Sequence, residues 1–158
     1  NVINEEKNDG IFSEPDFEIL SDGSFICVMR TGSETPMYRA YSYDMGKTWT
    51  LPEHFTPNGV RPSLKLLKNG VLVLVSGRPG IQIRFSLDGK GKEWTEPIEM
   101  VSFMHNDGTH SRSTTCGYAS IIEADVNSFY IVYSDFTTRN ILGQHRKSIW
   151  FRKITIRK

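Results

Sequence analysis

An internal repeat is the feature that most restricts the fold of this sequence of 158 residues. Residues 14–30 contain a short apolar strand, a turn ending in glycine and a second apolar strand, and residues 61–75 repeat this order. The alignment pairs Pro15 with Pro62, and a looser third copy covers residues 118–133. The turns contain Asp-Gly and Asn-Gly, which predict hairpins because both central positions favour a positive φ.

Each repeat continues into a second hairpin, so that one unit contains about four strands. The three units span approximately residues 11–57, 58–103 and 114–158, with a loop at 102–115. Four-stranded units repeating at this spacing are typical of propeller blades. The sequence therefore predicts an all-β fold, in which residues 1–158 form part of a β-propeller domain with roughly twelve strands.

Composition and charge exclude several classes of partner. Hydrophobic residues make up 38% of the sequence and charged residues 23%, which is ordinary for a soluble globular domain. The formal net charge of +1 is near zero, so it does not indicate the excess of positive charge that binds nucleic acid. No apolar run approaches the ~20 residues that span a bilayer. We therefore expect neither a nucleic-acid partner nor a membrane partner.

A characteristic turn follows the first strand of the second hairpin in the first unit. Residues 42–49 fit Ser-x-Asp-x-Gly-x-Thr-Trp at every fixed position. Asp44 is suited to accept backbone N–H bonds across the turn, and Gly46 supplies a left-handed backbone conformation. Trp49 covers the turn with a large apolar face. Residues 86–94 carry a near match, with one extra residue and glutamate in place of threonine.

These turns resemble the Asp-box, or BNR, repeat of sialidases and related glycoside hydrolases. The match extends from about Ser13 to the end of the sequence. The resemblance implies a sialidase-type β-propeller, of which this chain holds about three four-stranded blades, half of a six-bladed ring. In that family the boxes lie at the blade periphery, so we interpret Asp44 and Asp88 as structural. The resemblance also implies a secreted or periplasmic protein.

Residues at equivalent positions of successive blades converge on the axis of a propeller. The repeat alignment places Glu14, Arg61 and Tyr118 at one such position, at or just before the start of the first strand. An acid, a guanidinium and a phenol are costly to gather without a partner or a ligand. We therefore predict that these three side chains face the inner channel.

Sialidases use a tyrosine nucleophile activated by a glutamate, and three arginines grip the substrate carboxylate. On this pattern Tyr118 is the expected nucleophile, Glu14 is its base and Arg30 is the second arginine. Arg78 is the nearest match to the third arginine, with Arg61 as a competitor. The resemblance also implies an arginine and an acid/base aspartate in earlier blades, which this sequence does not locate.

Some of these residues have structural interpretations that the sequence leaves open. Tyr118 could be a core tyrosine with a satisfied hydroxyl, and Arg30 with Glu14 could form a structural ion pair. Arg61 and Arg84 also compete for the place of the third arginine. Arg84 alternates with apolar residues on a strand, which favours a solvent-facing position.

The loop at residues 102–115 is rich in serine, threonine and asparagine. Long loops in compact domains are usually functional or disordered. We expect this one to cover the pocket mouth, with His110 and Arg112 touching substrate. His105 and His110 have no third ligand at a recognisable metal-binding spacing. Neither a metal nor another cofactor is predicted.

Two classes of function remain open. The first is a sialidase-like exo-glycoside hydrolase that acts on the terminal acidic sugars of glycoconjugates. The second is a non-catalytic Asp-box propeller that binds a glycan or a protein. A related hydrolase or lyase for another sugar lies between them. The expected partner is accordingly a glycan or sialoglycoconjugate substrate.

Three blades cannot close a ring alone, and terminal blades expose apolar surface that drives association. We expect that surface to include Leu64, Leu66, Val73, Ile121, Ile131 and Trp150. The chain is therefore expected either to belong with additional N-terminal blades or to pair with a second copy in a homodimer.

Overall fold

The computed structural model describes residues 12–32, 35–102, 117–136, 138–144 and 146–157. Within these ranges the chain forms eleven strands and no helix. The strands are β1 (Ser13–Ile19), β2 (Phe25–Arg30), β3 (Met37–Ser42), β4 (Glu53–Thr56), β5 (Val60–Leu66), β6 (Leu72–Gly77), β7 (Ile81–Ser86), β8 (Ile98–Val101), β9 (Ala119–Asp125), β10 (Ser128–Asp135) and β11 (Ser148–Thr155).

The strands form three antiparallel sheets, each following chain order. The first contains β1 to β4 and the second β5 to β8, whereas the third contains β9 to β11. The prediction of an all-β partial propeller is confirmed, although the third sheet has three strands in the described part of the chain. A search of the same residues found no helix that could cross a lipid bilayer.

The repeat seen in the sequence is reproduced in the backbone of the first two sheets. The β1–β2 turn is closed by the N–H of Gly23 donating to the carbonyl of Leu20 over 2.9 Å. The β5–β6 turn is closed in the same way from Gly70 to Leu67, also over 2.9 Å. Gly23 and Gly70 have φ values of 82° and 85°, the left-handed conformation that favours glycine. The expectation of a positive φ at both turn positions is wrong, because φ is not positive at Asp22 or Asn69.

The core lies between adjacent sheets. Strand β6 of the middle sheet is buried along its whole length because both faces of that sheet are covered. Leu72 and Leu74 pack towards the first sheet, and Val73 and Val75 pack towards the third. The middle sheet is therefore the support against which the other two are positioned.

The first strands of the three sheets lie next to one another, with β5 between β1 and β9. Asp16 accepts a hydrogen bond from the backbone N–H of Leu64 over 2.7 Å, and Glu18 accepts one from Leu66 over 3.0 Å. Acidic residues on β1 thus satisfy the unpaired N–H groups of the neighbouring strand. This arrangement fixes the register between the first two sheets and aligns the starts of their inner strands.

The exposed apolar surface differs from the sequence expectation. Leu64, Val73 and Ile131 are buried between sheets, and Leu66 and Ile121 are partly buried against the core, whereas Trp150 is 41% exposed as expected. Strand residues alternate between two faces, so the positions that point away from the middle sheet are the uncovered ones. Outward-facing apolar side chains include Phe17 and Ile19 on the first sheet, and Ile122, Val132 and Phe151 on the third.

Candidate functional site

Two matching bulges position the first predicted site residues. The register of β1 shifts between Ser13 and Asp16, and the register of β5 shifts between Val60 and Ser63. In each bulge one strand has an extra residue opposite its partner, which turns a side chain out of the regular alternation. Glu14 and Arg61 occupy these bulges, with φ values of 44° and 46°.

Positive φ values set the predicted site residues apart from the rest of the chain. Among the described non-glycine residues, φ is positive at Glu14, Met45, Arg61 and Arg78. Met45 belongs to the Asp-box turn, whereas the other three are predicted site residues, and each directly precedes a proline. This conformation is uncommon for a residue with a side chain, and such strain concentrates at functional sites.

The Glu14 carboxylate lies at the centre of the cluster. Its Oε1 atom is 2.7 Å from Nη1 of Arg30 and accepts a hydrogen bond from the Tyr118 hydroxyl over 3.4 Å. Its Oε2 atom accepts a hydrogen bond from the backbone N–H of Arg61 over 3.0 Å. Residues from all three sheets therefore meet at one carboxylate.

These contacts determine the charge state of Glu14. Partial burial raises its pKa, but the hydrogen bond and positive charge of Arg30 lower it. The Arg61 backbone N–H and the Tyr118 hydroxyl lower it further, so that the pKa lies below its ordinary value of 4.5. At neutral pH Glu14 is therefore an ionised acceptor for the tyrosine proton.

Tyr118 lies just before β9 at the inner edge of the third sheet. The backbone N–H groups of Gly117 and Tyr118 both point to the hydroxyl oxygen of Ser134, each over 3.3 Å. The Tyr118 residue is 50% exposed, so it is not a core tyrosine. The Arg61 guanidinium carbon lies 5.8 Å from the centroid of its ring. Tyr118 is therefore held by its backbone while its phenol stays accessible.

A close approach between two glycines places Arg78 beside this segment. A Cβ atom at Gly77 would collide with the carbonyl oxygen of Gly117, so only glycine fits there without a shift of the backbone. A Cβ atom at Gly117 would lie 3.8 Å from Nη2 of Arg78. The geometry therefore brings Arg78 next to the residue that precedes Tyr118.

Sequence reasoning overlooked two contributors to this arrangement, Gly77 and Ser134. Neither belongs to a recognisable motif, because one acts through the absence of a side chain and the other through contacts made only after folding. The recurring pattern of a charged residue before proline, at Glu14, Arg61 and Arg78, was a signal that could have drawn these positions together.

The remaining predicted contacts lie elsewhere. His110 and Arg112, together with His105 and most of the loop at 102–115, fall outside the described residues. Among the residues that the structure describes, no group of three or more His, Cys, Asp or Glu side chains could hold a metal ion. The candidate site thus brings together the Glu14 carboxylate, the Tyr118 phenol and the guanidinium groups of Arg30 and Arg61. Arg78 lies beside it, next to Gly117.

The prediction that Arg84 faces solvent is wrong. Arg84 is only 8% exposed, and burial lowers its pKa, with the charge of Glu96 acting in the opposite direction. Its Nη1 atom has no hydrogen-bond partner among the described residues. Alternation leaves one face of a strand in water only when that face is uncovered, and both faces of the middle sheet are covered.

The Asp-box turns have the structural role that the sequence predicts. Asp44 accepts hydrogen bonds from the N–H and the hydroxyl of Thr48 over 2.8 and 2.6 Å. The Ser42 hydroxyl oxygen accepts a bond from the N–H of Gly46 over 2.8 Å. The Thr48 side chain and backbone, with smaller contributions from other groups, lower the pKa of Asp44 to about 2. The carboxylate is therefore engaged within its own turn.

No protein-family model and no curated protein sequence matches the chain. Among solved structures, it is similar to a protein of unknown function from Dyadobacter fermentans, with 21% identity and a TM-score of 0.72 over 95% of this chain and 40% of that chain. An ulvan lyase bound to -[GlcA(1-4)Rha3S]- gives 15% identity and a TM-score of 0.61 over 98% of this chain and 40% of that chain.

The intramolecular trans-sialidase from Ruminococcus gnavus, in complex with oseltamivir carboxylate, gives 16% identity and a TM-score of 0.57. That match covers 97% of this chain and 34% of the other. The chain therefore spans at most 40% of the length of these three proteins. At such low identity the similarities establish the fold, a partial β-propeller.

Proposed function

We propose that this chain supplies half of the active site of a glycoside hydrolase that releases terminal acidic sugars, with Tyr118 as the nucleophile. The observation that carries the proposal is the contact between the Tyr118 hydroxyl and the Glu14 carboxylate at 3.4 Å. Glu14 is ionised and held by Arg30, so it offers a fixed acceptor for the phenolic proton.

The proposed reaction uses a covalent intermediate. The Tyr118 oxygen bonds to the anomeric carbon and gives its proton to Glu14, while the bond to the leaving oxygen breaks. A general acid protonates that oxygen; the resemblance to sialidases implies an aspartate from another blade. Water then attacks the anomeric carbon and gives a proton to the conjugate base of that general acid, while the bond to the Tyr118 oxygen breaks and Glu14 returns the phenolic proton to that oxygen. A neutral nucleophile suits an acidic sugar because it avoids repulsion between two anions.

Recognition of the sugar carboxylate is assigned to Arg30 and Arg78. Arginine binds carboxylates through two parallel N–H donors, which orients the sugar as well as attracting it. Arg30 extends from the end of β2 and Arg78 follows the end of β6, so equivalent edges of neighbouring sheets provide the two groups. A carboxylate between them would hold the anomeric carbon near Tyr118.

A lyase that acts on an acidic polysaccharide is the second candidate. Tyr118 is half exposed, so its hydroxyl is accessible to a sugar within a polymer chain as well as to a terminal one. In such a reaction a tyrosine removes the proton next to the carboxylate, and arginines neutralise that carboxylate. The bond from the adjacent ring carbon to the leaving oxygen then breaks, and the tyrosine returns the proton to that oxygen. The product carries a carbon–carbon double bond, which absorbs ultraviolet light, whereas hydrolysis gives a saturated acidic sugar.

The test uses the native protein, aryl glycosides of acidic sugars and acidic polysaccharides. We expect Tyr118→Phe to abolish release of the aryl group, with an unchanged circular dichroism spectrum. Tyr130→Phe is the matched control, because it removes a hydroxyl from the same sheet but away from Glu14. Retained turnover by Tyr118→Phe would remove Tyr118 from the mechanism. Absence of turnover in the wild type would favour a glycan-binding or protein-binding propeller.

A further inference from the structure

Arg61 is placed differently from the other arginines of the site. It lies in the β5 bulge with a φ of 46°, and the guanidinium carbon is 5.8 Å from the centroid of the Tyr118 ring. The residue is exposed, and among the described residues no carboxylate lies within ion-pair distance of its guanidinium. Its charge interacts with the Asp16 carboxylate at longer range and with the face of the Tyr118 phenol.

From this placement we infer that Arg61 is a positioning residue for Tyr118 and not part of the carboxylate clamp. The inference rests on the proposed function. A guanidinium over an aromatic face is attracted by the electrons of the ring. As the phenol gives its proton to Glu14, the ring and its oxygen gain partial negative charge in the transition state, and the attraction to Arg61 increases. Arg61 thus favours the reacting state over the resting state.

The same residue also holds the proton acceptor. The backbone N–H of Arg61 donates to Oε2 of Glu14 over 3.0 Å, while its side chain covers Tyr118. The bulge is what permits both contacts, because it directs the N–H towards β1 and the side chain towards β9. Arg61 therefore fixes the relative placement of Glu14 and Tyr118, and the uncommon backbone conformation has a functional explanation.

The test compares Arg61→Gln and Arg61→Lys in the native protein with an aryl glycoside of an acidic sugar. We expect Arg61→Gln to lower kcat about tenfold and to leave KM within about a factor of two, because the lost interaction forms mainly in the transition state. Arg61→Lys keeps a positive charge and should recover part of kcat. Both variants keep the backbone N–H that binds Glu14.

Arg152→Gln is the matched control, because the Arg152 guanidinium carbon also lies 5.8 Å from a tyrosine ring, that of Tyr133, away from Glu14. We expect this variant to retain wild-type kcat.

A rise in KM with unchanged kcat for Arg61→Gln would assign Arg61 to the clamp and overturn the inference. Wild-type kcat in Arg61→Gln, with Tyr118→Phe inactive, would overturn it while leaving the proposed function intact. If Arg61→Gln unfolds at a lower temperature, Arg61→Lys decides: a kcat no higher than that of Arg61→Gln, in a variant that is as stable as wild type, overturns the inference.

Discussion

The Tyr118 hydroxyl donates a hydrogen bond to Oε1 of Glu14 over 3.4 Å, although 104 positions separate the two residues in sequence. Glu14 is the second residue of β1, the inner strand of the first sheet, and Tyr118 lies just before β9, the inner strand of the third. The middle sheet connects them, since Arg61 binds Glu14 through its backbone and covers Tyr118 with its side chain. The site therefore depends on the packing of all three sheets.

Replacement of Gly77 tests the close approach that positions Tyr118. The Cβ of alanine would collide with the carbonyl of Gly117, so we expect Gly77→Ala to lower the free energy of unfolding by about 1–3 kcal/mol and to reduce catalysis. Gly117→Ala is the control, because its Cβ would meet no described atom nearer than 3.8 Å. Equal unfolding free energies for the two variants, measured by urea denaturation, would refute the packing argument.

Replacement of Asp16 by alanine tests the contact between the inner strands of the first two sheets. Its carboxylate accepts the N–H of Leu64 over 2.7 Å, and alanine would leave that donor without a partner. We expect Asp16→Ala to lower the free energy of unfolding by about 1–3 kcal/mol. Glu53→Ala, which removes an exposed ion pair with Arg39, should cost less than about 1 kcal/mol. A larger effect at Glu53 than at Asp16 would contradict this account.

The lowered pKa of Asp44 leads to a prediction of how the stability of the protein depends on pH. Its pKa is about 2 in the folded protein and near 3.8 when unperturbed, so the ionised form is favoured by folding. The stabilisation from this group is present above the unperturbed pKa and is lost as the pH falls towards 2. We expect Asp44→Asn to be less stable than wild type at neutral pH. The melting temperatures of wild type and Asp44→Asn should converge as the pH is lowered towards 2. A difference in melting temperature that does not change with pH would argue against the Asp-box hydrogen bonds.

The exposed apolar side chains on the outward face of the third sheet lead us to predict that the chain associates with another protein surface. Ile122, Val132 and Phe151 lie on this face and are exposed. Such a face is covered by the next blade in a propeller, so we expect the chain to associate with further blades or with a second copy. Phe151→Glu should weaken association in sedimentation at micromolar concentration. Leu142→Glu, at an exposed loop position, should leave it unchanged. A strictly monomeric wild type with cooperative unfolding would show that three sheets suffice.

The sequence predicts the fold well because its signals are local. The hairpins form where Asp22-Gly23 and Asn69-Gly70 require them, and the Asp-box turn of residues 42–49 is closed by its own side chains. The repeat alignment also selects Glu14, Arg61 and Tyr118 as a group, since equivalent positions of successive blades meet near the axis. The roles of these residues in catalysis stay predictions.

Features that depend on packing were not predictable in this way. The buried position of Arg84 depends on whether a neighbouring sheet covers its face, which alternation along one strand does not reveal. The positive φ values of Glu14 and Arg61 run against the extended conformation that a residue before proline usually adopts. They arise from bulges set by pairing with β2 and β6, which are contacts between strands.

Trapping of the glycosyl-enzyme would identify the nucleophile. We would treat the native protein with a fluorinated acidic sugar that carries a good leaving group, then digest it and locate the label by mass spectrometry. The account predicts one added glycosyl group on the peptide that contains Tyr118, and no label in Tyr118→Phe. A label on another residue, or turnover of acidic glycosides without any labelled tyrosine, would contradict it.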